Sequence, residues 1–236
     1  MKSAQDCRLP FGICDELKKR KLNVPWFVSG RVDTVNKRLL AAMREAGCYG
    51  ILFGVESGVQ KNLDVLRKGQ TLDQIRRAVR DAKAAGLKVN TPFIFGVPTE
   101  TFDEGLETIK FAIELNGDIA NFHTLAPYPG TELYEHVDRY GTMSESVEDY
   151  TFEAAGFVPH TMTREQVLEL KRVAFRKFYS RPRYMIEQLL KVRSRYEVQA
   201  LAGGAISLAK LLLNPEVFTS HIALKGRFRG ESAAKG

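Results

Sequence analysis

Cysteine is scarce in this chain: Cys7, Cys14 and Cys48 are the only three in 236 residues. So sparse and odd a set cannot staple a disulfide scaffold, and without an export signal it points to a reducing cytoplasm. Cys7 and Cys14 are separated by six residues and fall on different local elements, whereas four-iron clusters want closely spaced thiolates. No metal site is therefore expected from these three. Long apolar runs are missing too. No stretch reaches the roughly 18–20 residues that span a bilayer, and the nearest, Val198 to Leu213, is interrupted by Gln199, Ser207 and Lys210. Nothing before Pro10 has the apolar core of a signal peptide. Phosphate-cradling glycine loops and Walker motifs are absent. The run Gly54-Val55-Glu56-Ser57-Gly58 has its residues in the wrong order for a G-x-S-x-G nucleophile elbow, which argues against Ser57 as a nucleophile.

What is present is an ordinary globular composition, 44% hydrophobic and 27% charged. The net charge of +7 is unevenly spread: residues from Arg164 onward carry fifteen Lys/Arg against six Asp/Glu, and residues 1–163 hold twenty against twenty-two. A basic helical tail is a surface for RNA, anionic lipid or an acidic partner, but a solvated face is the simpler reading. Neither nucleic acid nor a membrane surface is favoured as a partner, although Val198 to Leu213, mostly apolar with basic flanks, keeps the membrane surface open.

Along the chain, residues 11–21 read as a helix with Ile13, Leu17 and Cys14 on a narrow apolar face. Trp26-Phe27-Val28 is a short strand, and Asp33 or Thr34 caps a helix stopped by Gly47. Tyr49 to Val55 is the central strand, and Val59 to Leu66 a short helix. Thr71 caps a helix ending at Gly86, Leu87 to Phe95 is a strand, and Thr101 opens a helix to Leu115. Ile119 to Leu125 is the fourth strand, followed by the turn Pro127 to Gly130 and a helix from Thr131 to about Arg139. Helices of about 10 to 16 residues between strands predict parallel pairing with right-handed crossovers. The expected domains are an α/β part at 1–140, an irregular connection at 141–162 and a basic helical region at 163–236. Four parallel strands do not close a barrel, and the first would be an exposed apolar edge, so the chain is expected to be a fragment or to rely on another polypeptide.

In a parallel barrel the C-terminal ends of the strands converge on one rim. Those ends bring Ser29 and Arg31, Glu56 and Ser57, the segment Phe93 to Pro98, and His123; Lys68 follows the central strand closely. Arginine, glutamate and lysine on one rim suit a zwitterion with a ribose. His123 faces either a substrate or the packed interior, and His136 reads as a surface residue.

In order, Gly30-Arg31-Val32-Asp33, Ala46-Gly47-Cys48, Phe53 to Gly58, Leu66 to Thr71, Phe93 to Thr101 and Ala126 to Leu133 resemble the second half of a radical S-adenosylmethionine (SAM) core. The closest likeness is to the subgroup carrying a cobalamin-binding domain ahead of that core. The resemblance implies part of a (β/α)6 TIM-like barrel, SAM as cofactor, a [4Fe-4S] cluster and reductive formation of a 5′-deoxyadenosyl radical, with cobalamin in the subgroup. It implies radical methylation or rearrangement of a small molecule whose identity the motifs do not name. Glu56 would meet the ribose or methionine end of SAM, Lys68 the methionine carboxylate, and Ser29 and Arg31 another polar part. Phe93, Phe95 and Gly96 would flank the adenine through their backbone. The family's C-x3-C-x2-C motif is absent, so the cluster ligands, and any cobalamin domain, are expected on a polypeptide outside this chain. The alternative is a cluster-less module that binds SAM, a nucleotide or a partner without catalysis.

Overall fold

A computed structural model describes residues 8–144, 149, 154–190 and 203. The elements in chain order are α1 (Arg8–Lys19), β1 (Trp26–Gly30), α2 (Lys37–Glu45), β2 (Cys48–Phe53), α3 (Gln60–Val65), α4 (Leu72–Ala84), β3 (Lys88–Phe95) and α5 (Phe102–Leu115). There follow β4 (Ile119–Thr124), α6 (Glu132–Glu135), α7 (Val137–Tyr140), β5 (Gly141–Met143), β6 (Phe157–Pro159), α8 (Arg164–Tyr179) and α9 (Pro182–Leu190). Cys7, His221 and the segment Val198–Leu213 lie outside the described residues, apart from Gly203.

The helices start where local chemistry satisfies their first N–H groups. Thr71, Thr101 and Thr163 each accept from the backbone three residues on, and Gln74, Glu104 and Gln166 return the bond. The cap of α2 is Asn36 rather than Asp33 or Thr34. The reason is local: the carboxylate of Asp33 is held by Arg31, and the Thr34 hydroxyl donates to the Arg31 carbonyl. The single helix expected from Thr131 is two one-turn pieces, broken at His136. In α1, Cys14 is fully buried and Phe11 and Leu17 pack on the core, but Ile13 is 48% exposed. The buried face is therefore the expected one at Cys14 and Leu17, with Phe11 in place of Ile13. Part of the connection at 141–162 forms an antiparallel pair, β5 with β6.

Strands β1 to β4 form one parallel sheet in chain order, with Gly30 beside Phe53, Leu52 beside Asn90 and Ile94 beside His123. One face is dry: Ile51, Phe53, Val89, Phe93, Phe95, Ala120 and Phe122 are buried and join the helices in a single core. Phe122 stacks near Phe93 and Phe95 and meets Phe175 and Phe178 of α8 edge-on. Fully burying an aromatic of this kind stabilises by about 1.5–3 kcal/mol. Residues at alternate positions, Leu52, Asn90, Pro92, Ile94, Asn121 and His123, are only half-buried and line the other face. Unreversed strand order with the helices of the core on one face is the arrangement of a partial (β/α) barrel. β1 is an edge strand with Phe27 exposed, while the Trp26 indole donates to the Ala46 carbonyl at 2.8 Å.

The basic C-terminal helices dock on β4. The Tyr179 hydroxyl donates to the Ala120 carbonyl at 2.7 Å and accepts from the Ala120 N–H at 3.1 Å. Tyr184 reaches the Asp118 carbonyl at 2.8 Å, and Arg181 stacks on Phe178 while donating to the Ile113 carbonyl. No helix among the described residues is long and apolar enough to cross a membrane.

Candidate functional site

The sheet leads to its rim through Gly54. β2 ends at Phe53, and two residues after Gly54 the backbone of Glu56 rejoins β3: its N–H donates to Pro92 O at 2.9 Å and its carbonyl accepts from Ile94 N at 2.8 Å. To make that bridge Glu56 adopts φ +65°, a left-handed conformation that costs a non-glycine residue about 1–2 kcal/mol. Its side chain turns back, and Oε1 accepts from Lys68 Nζ at 2.9 Å. A β-carbon on Gly54 would lie 2.7 Å from that oxygen and 3.2 Å from Nζ. The glycine is thus a cradle for the ion pair, and the Gln70 amide fixes it from behind by donating to Gly54 O at 3.0 Å.

Lys68 is delivered by a tight turn after α3, in which Arg67 and Gly69 both have positive φ. Arg31 then ties this turn to β1. Its Nη2 donates to Lys68 O at 2.8 Å, while Nε and Nη2 grip Asp33 as a fork at 2.9 Å each. The guanidinium holds the Asp33 carboxyl below the ordinary carboxylate range, and Asp33 in turn raises Arg31.

The structure therefore brings together three of the expected residues, Arg31, Glu56 and Lys68. Ser29 shares the rim end of β1 and is exposed, but makes no hydrogen bond to the other three among the described residues. The side chains of Phe93 and Phe95 are fully buried under the helices, so only their backbone is available to a ligand on the open face. The half-buried Ile94 between them is the side chain on that face. Gly96 has φ +84°, and its N–H is already used, donating at 2.7 Å to Glu100 Oε2.

Glu100 and Asn62 were not singled out by sequence reasoning, although Gly96 and Ser57, to which they bond, were. The carboxylate is fully buried and accepts also from Val97 N at 3.2 Å and from Asn62 Nδ2 at 3.1 Å. The Asn62 amide donates onward to Ser57 Oγ at 3.3 Å, and Ser57 meets Thr108 Oγ1 at 3.1 Å. Ser57 Oγ accepts from Val59 N as well, so its two lone pairs are occupied and its proton is left for Thr108. Ser57 is structural. Burial pushes the Glu100 carboxyl up to about 7, against the opposing pull of the Gly96 and Val97 N–H groups.

The cysteines do not contribute. Cys14 and Cys48 are buried and unbridged, burial pushes both thiols up, and Cys48 donates weakly to the Gly50 carbonyl. Among the described residues no group of three His, Cys, Asp or Glu side chains is placed to hold a metal ion.

Comparison with known proteins gives one family match, to the radical SAM superfamily over residues 10–112. An uncharacterized methyltransferase of Pyrococcus horikoshii is 36% identical over 176 residues, covering 74% of this chain and 38% of that protein. The anaerobic magnesium-protoporphyrin IX monomethyl ester cyclase of Rubrivivax gelatinosus is 30% identical over 189 residues, 77% of this chain and 33% of the cyclase. The chain thus spans about a third of the length of these curated relatives. Among solved structures, the radical SAM methyltransferase TsrM of Kitasatospora setae, with cobalamin and a [4Fe-4S] cluster bound, shares the fold with a TM-score of 0.50. That match is 17% identical and covers 68% of this chain and 33% of TsrM.

Proposed function

This chain belongs to the radical SAM superfamily, and from that membership we propose that its rim binds SAM as part of an enzyme that methylates or rearranges a small molecule. The observation that carries the reading is the Glu56–Lys68 pair, held over Gly54 at the C-terminal end of the sheet and facing the open side. An ammonium and a carboxylate fixed 2.9 Å apart complement the methionine end and ribose of SAM: Lys68 would hold a carboxylate, and Glu56 a hydroxyl or ammonium. Arg31, through the Lys68 carbonyl, keeps the lysine turn in place. When bound, SAM would supply a methyl group for transfer or a 5′-deoxyadenosyl group that abstracts hydrogen. The chain's own residues bind and orient it, and the apolar strand ends, Ile94 and Leu52, limit water beneath it.

The described residues do not fit an iron–sulfur cluster: two cysteines, both buried and held as thiols, cannot supply its ligands. In this reading the cluster, and cobalamin where the subgroup likeness extends to it, sit on a different polypeptide segment that completes the rim. The methyltransferase of Pyrococcus horikoshii supports methyl transfer, and the cyclase supports a reaction other than methyl transfer.

The test is calorimetric titration of the chain with SAM, beside Glu56→Gln and Lys68→Met. We expect binding by the parent chain and at least about tenfold weaker binding by each variant, since about 1.4 kcal/mol separates tenfold steps. Equal affinity in all three would falsify the assignment. A second reading, a binding module without catalysis, is favoured by the missing ligand set. It predicts SAM binding with no reductive cleavage when the cluster-bearing segment of a relative is supplied in trans. Cleavage under those conditions excludes it.

A further inference from the structure

We propose that Glu100 is the positioning residue of the rim, its carboxylate and the Asn62 amide forming a latch that makes the loop after β2 (54–59) and the loop after β3 (96–101) move as one unit. The inference rests on the SAM reading for the identity of the ligand, but the latch itself stands on the hydrogen bonds alone.

Those bonds bridge the two loops in series. Oε2 takes the N–H groups of Gly96 and Val97, fixing the turn that leaves β3. Oε1 takes Asn62 Nδ2, which also reaches Ser57 Oγ, the residue adjoining Glu56. Ser57 is anchored to Thr108 of α5, and Gly58 N donates to the same threonine hydroxyl. From the far side the Thr161 hydroxyl, just before α8, donates to the Glu100 carbonyl. Beside the direct backbone bridge from Glu56 to Pro92 and Ile94, the buried carboxylate thus gives the two loops a second, side-chain link.

Every side-chain contact of that carboxylate is with a donor. A proton added to Oε2 would face two N–H groups, and a proton added to Oε1 would face the Asn62 amide hydrogens. Half-rotation of the Asn62 amide would let Oδ1 accept the new proton. That turn would leave Nδ2 where Oδ1, which has no partner, now lies. Protonation thus opens at least one arm of the latch. The charged groups that face Glu100 are Glu104 of α5, which favours the proton, and Lys61 of α3, which opposes it and is itself paired with Glu104. Burial outweighs both and brings the titration close to neutrality.

Two measurements on the whole chain test this. The first is amide hydrogen exchange by mass spectrometry at pH 6 and pH 8, corrected for intrinsic rates. Peptides covering 54–59 and 96–101 should change protection together, by the same factor, between the two pH values. In Glu100→Gln, which keeps an acceptor and cannot titrate, the dependence should vanish. In Asn62→Leu, only 54–59 should loosen while 96–101 stays protected. Segments that respond independently in the parent chain, or no pH dependence there, overturn the latch whether or not SAM binds. The second is SAM titration at pH 7 in buffers of differing ionisation enthalpy. A ligand that prefers the closed rim should release a fraction of a proton in the parent chain and none in Glu100→Gln. Equal release in both refutes the link to the ligand. No binding by the parent chain refutes the SAM reading and leaves the exchange result to decide the latch.

Discussion

Lys68 Nζ stands 2.9 Å from Glu56 Oε1, and the place where Gly54 would carry a β-carbon is within 3.2 Å of both atoms. The ion pair and the missing methyl group are parts of the same feature. Gly54 is not at a positive φ, so its backbone is open to any residue, and only the space is spoken for.

Gly54→Ala is therefore expected to damage binding far more than folding. The methyl group would push the carboxylate off the lysine, while the ion pair itself, partly exposed, contributes about 0–1 kcal/mol to stability. SAM affinity should drop at least about tenfold with the thermal midpoint little changed. Calorimetry and thermal melting on the same preparation check both halves.

Glu56→Gly should separate stability from function in the opposite sense. Glycine takes φ +65° without strain, so relief of about 1 kcal/mol or more offsets the loss of an ion pair. The variant is expected to be as stable as the parent chain or slightly more so, and to bind no SAM. A clear fall in its urea midpoint would show that the left-handed bridge to β3 is not strained.

Gly58→Ala is a packing test. Its added β-carbon would lie 2.5 Å from Phe111 Cβ and 2.8 Å from Thr108 Cα, both on α5 close to its backbone. Because neither neighbour can step aside, the cost should reach about 1–3 kcal/mol or more, read as a lowered urea midpoint at unchanged slope.

Global stability should depend on pH through Glu100. Its folded pKa is raised to about 7 from an ordinary value of 4.5, so the folded chain holds the proton where the unfolded chain has lost it. Stability is then highest below about 4.5 as far as this group is concerned, and falls as pH climbs towards 7, by at most about 1.4 kcal/mol per unit. Asp33, Glu104 and Asp149 act oppositely in a lower window, since their depressed values make stability fall on acidification. Urea midpoints between pH 5 and pH 8 for the parent chain and Glu100→Gln should diverge in slope. Parallel curves would assign the pH dependence to other groups.

Much of this was legible beforehand. Thr71 and Thr101 announce their helices because a threonine cap with a glutamine or glutamate three residues on needs only local sequence. The meeting of Arg31, Glu56 and Lys68 followed from strand ends and from motif order. The cap of α2 was not legible, because Asp33, Thr34 and Asn36 are all competent and a neighbour, Arg31, decides among them. Glu100 was hidden for a similar reason. In Thr99-Glu100-Thr101 it reads as an acidic residue ahead of a helix, and only Asn62 and Thr161, distant in sequence, enclose it. The inward turn of Phe93 and Phe95 depends on strand phase, which a nearly continuous apolar run does not reveal.

Because the four strands lie side by side in the order in which they occur, position along the chain doubles as a compass bearing around the rim. Residues 29–31, 54–57, 94–96 and 121–124 occupy successive sectors, each with its own strand beneath it. An exchange of one strand-end segment with that of a relative should then alter one bearing of the ligand's surroundings. The exception is the pair of sectors joined through Glu100, which would have to be exchanged together.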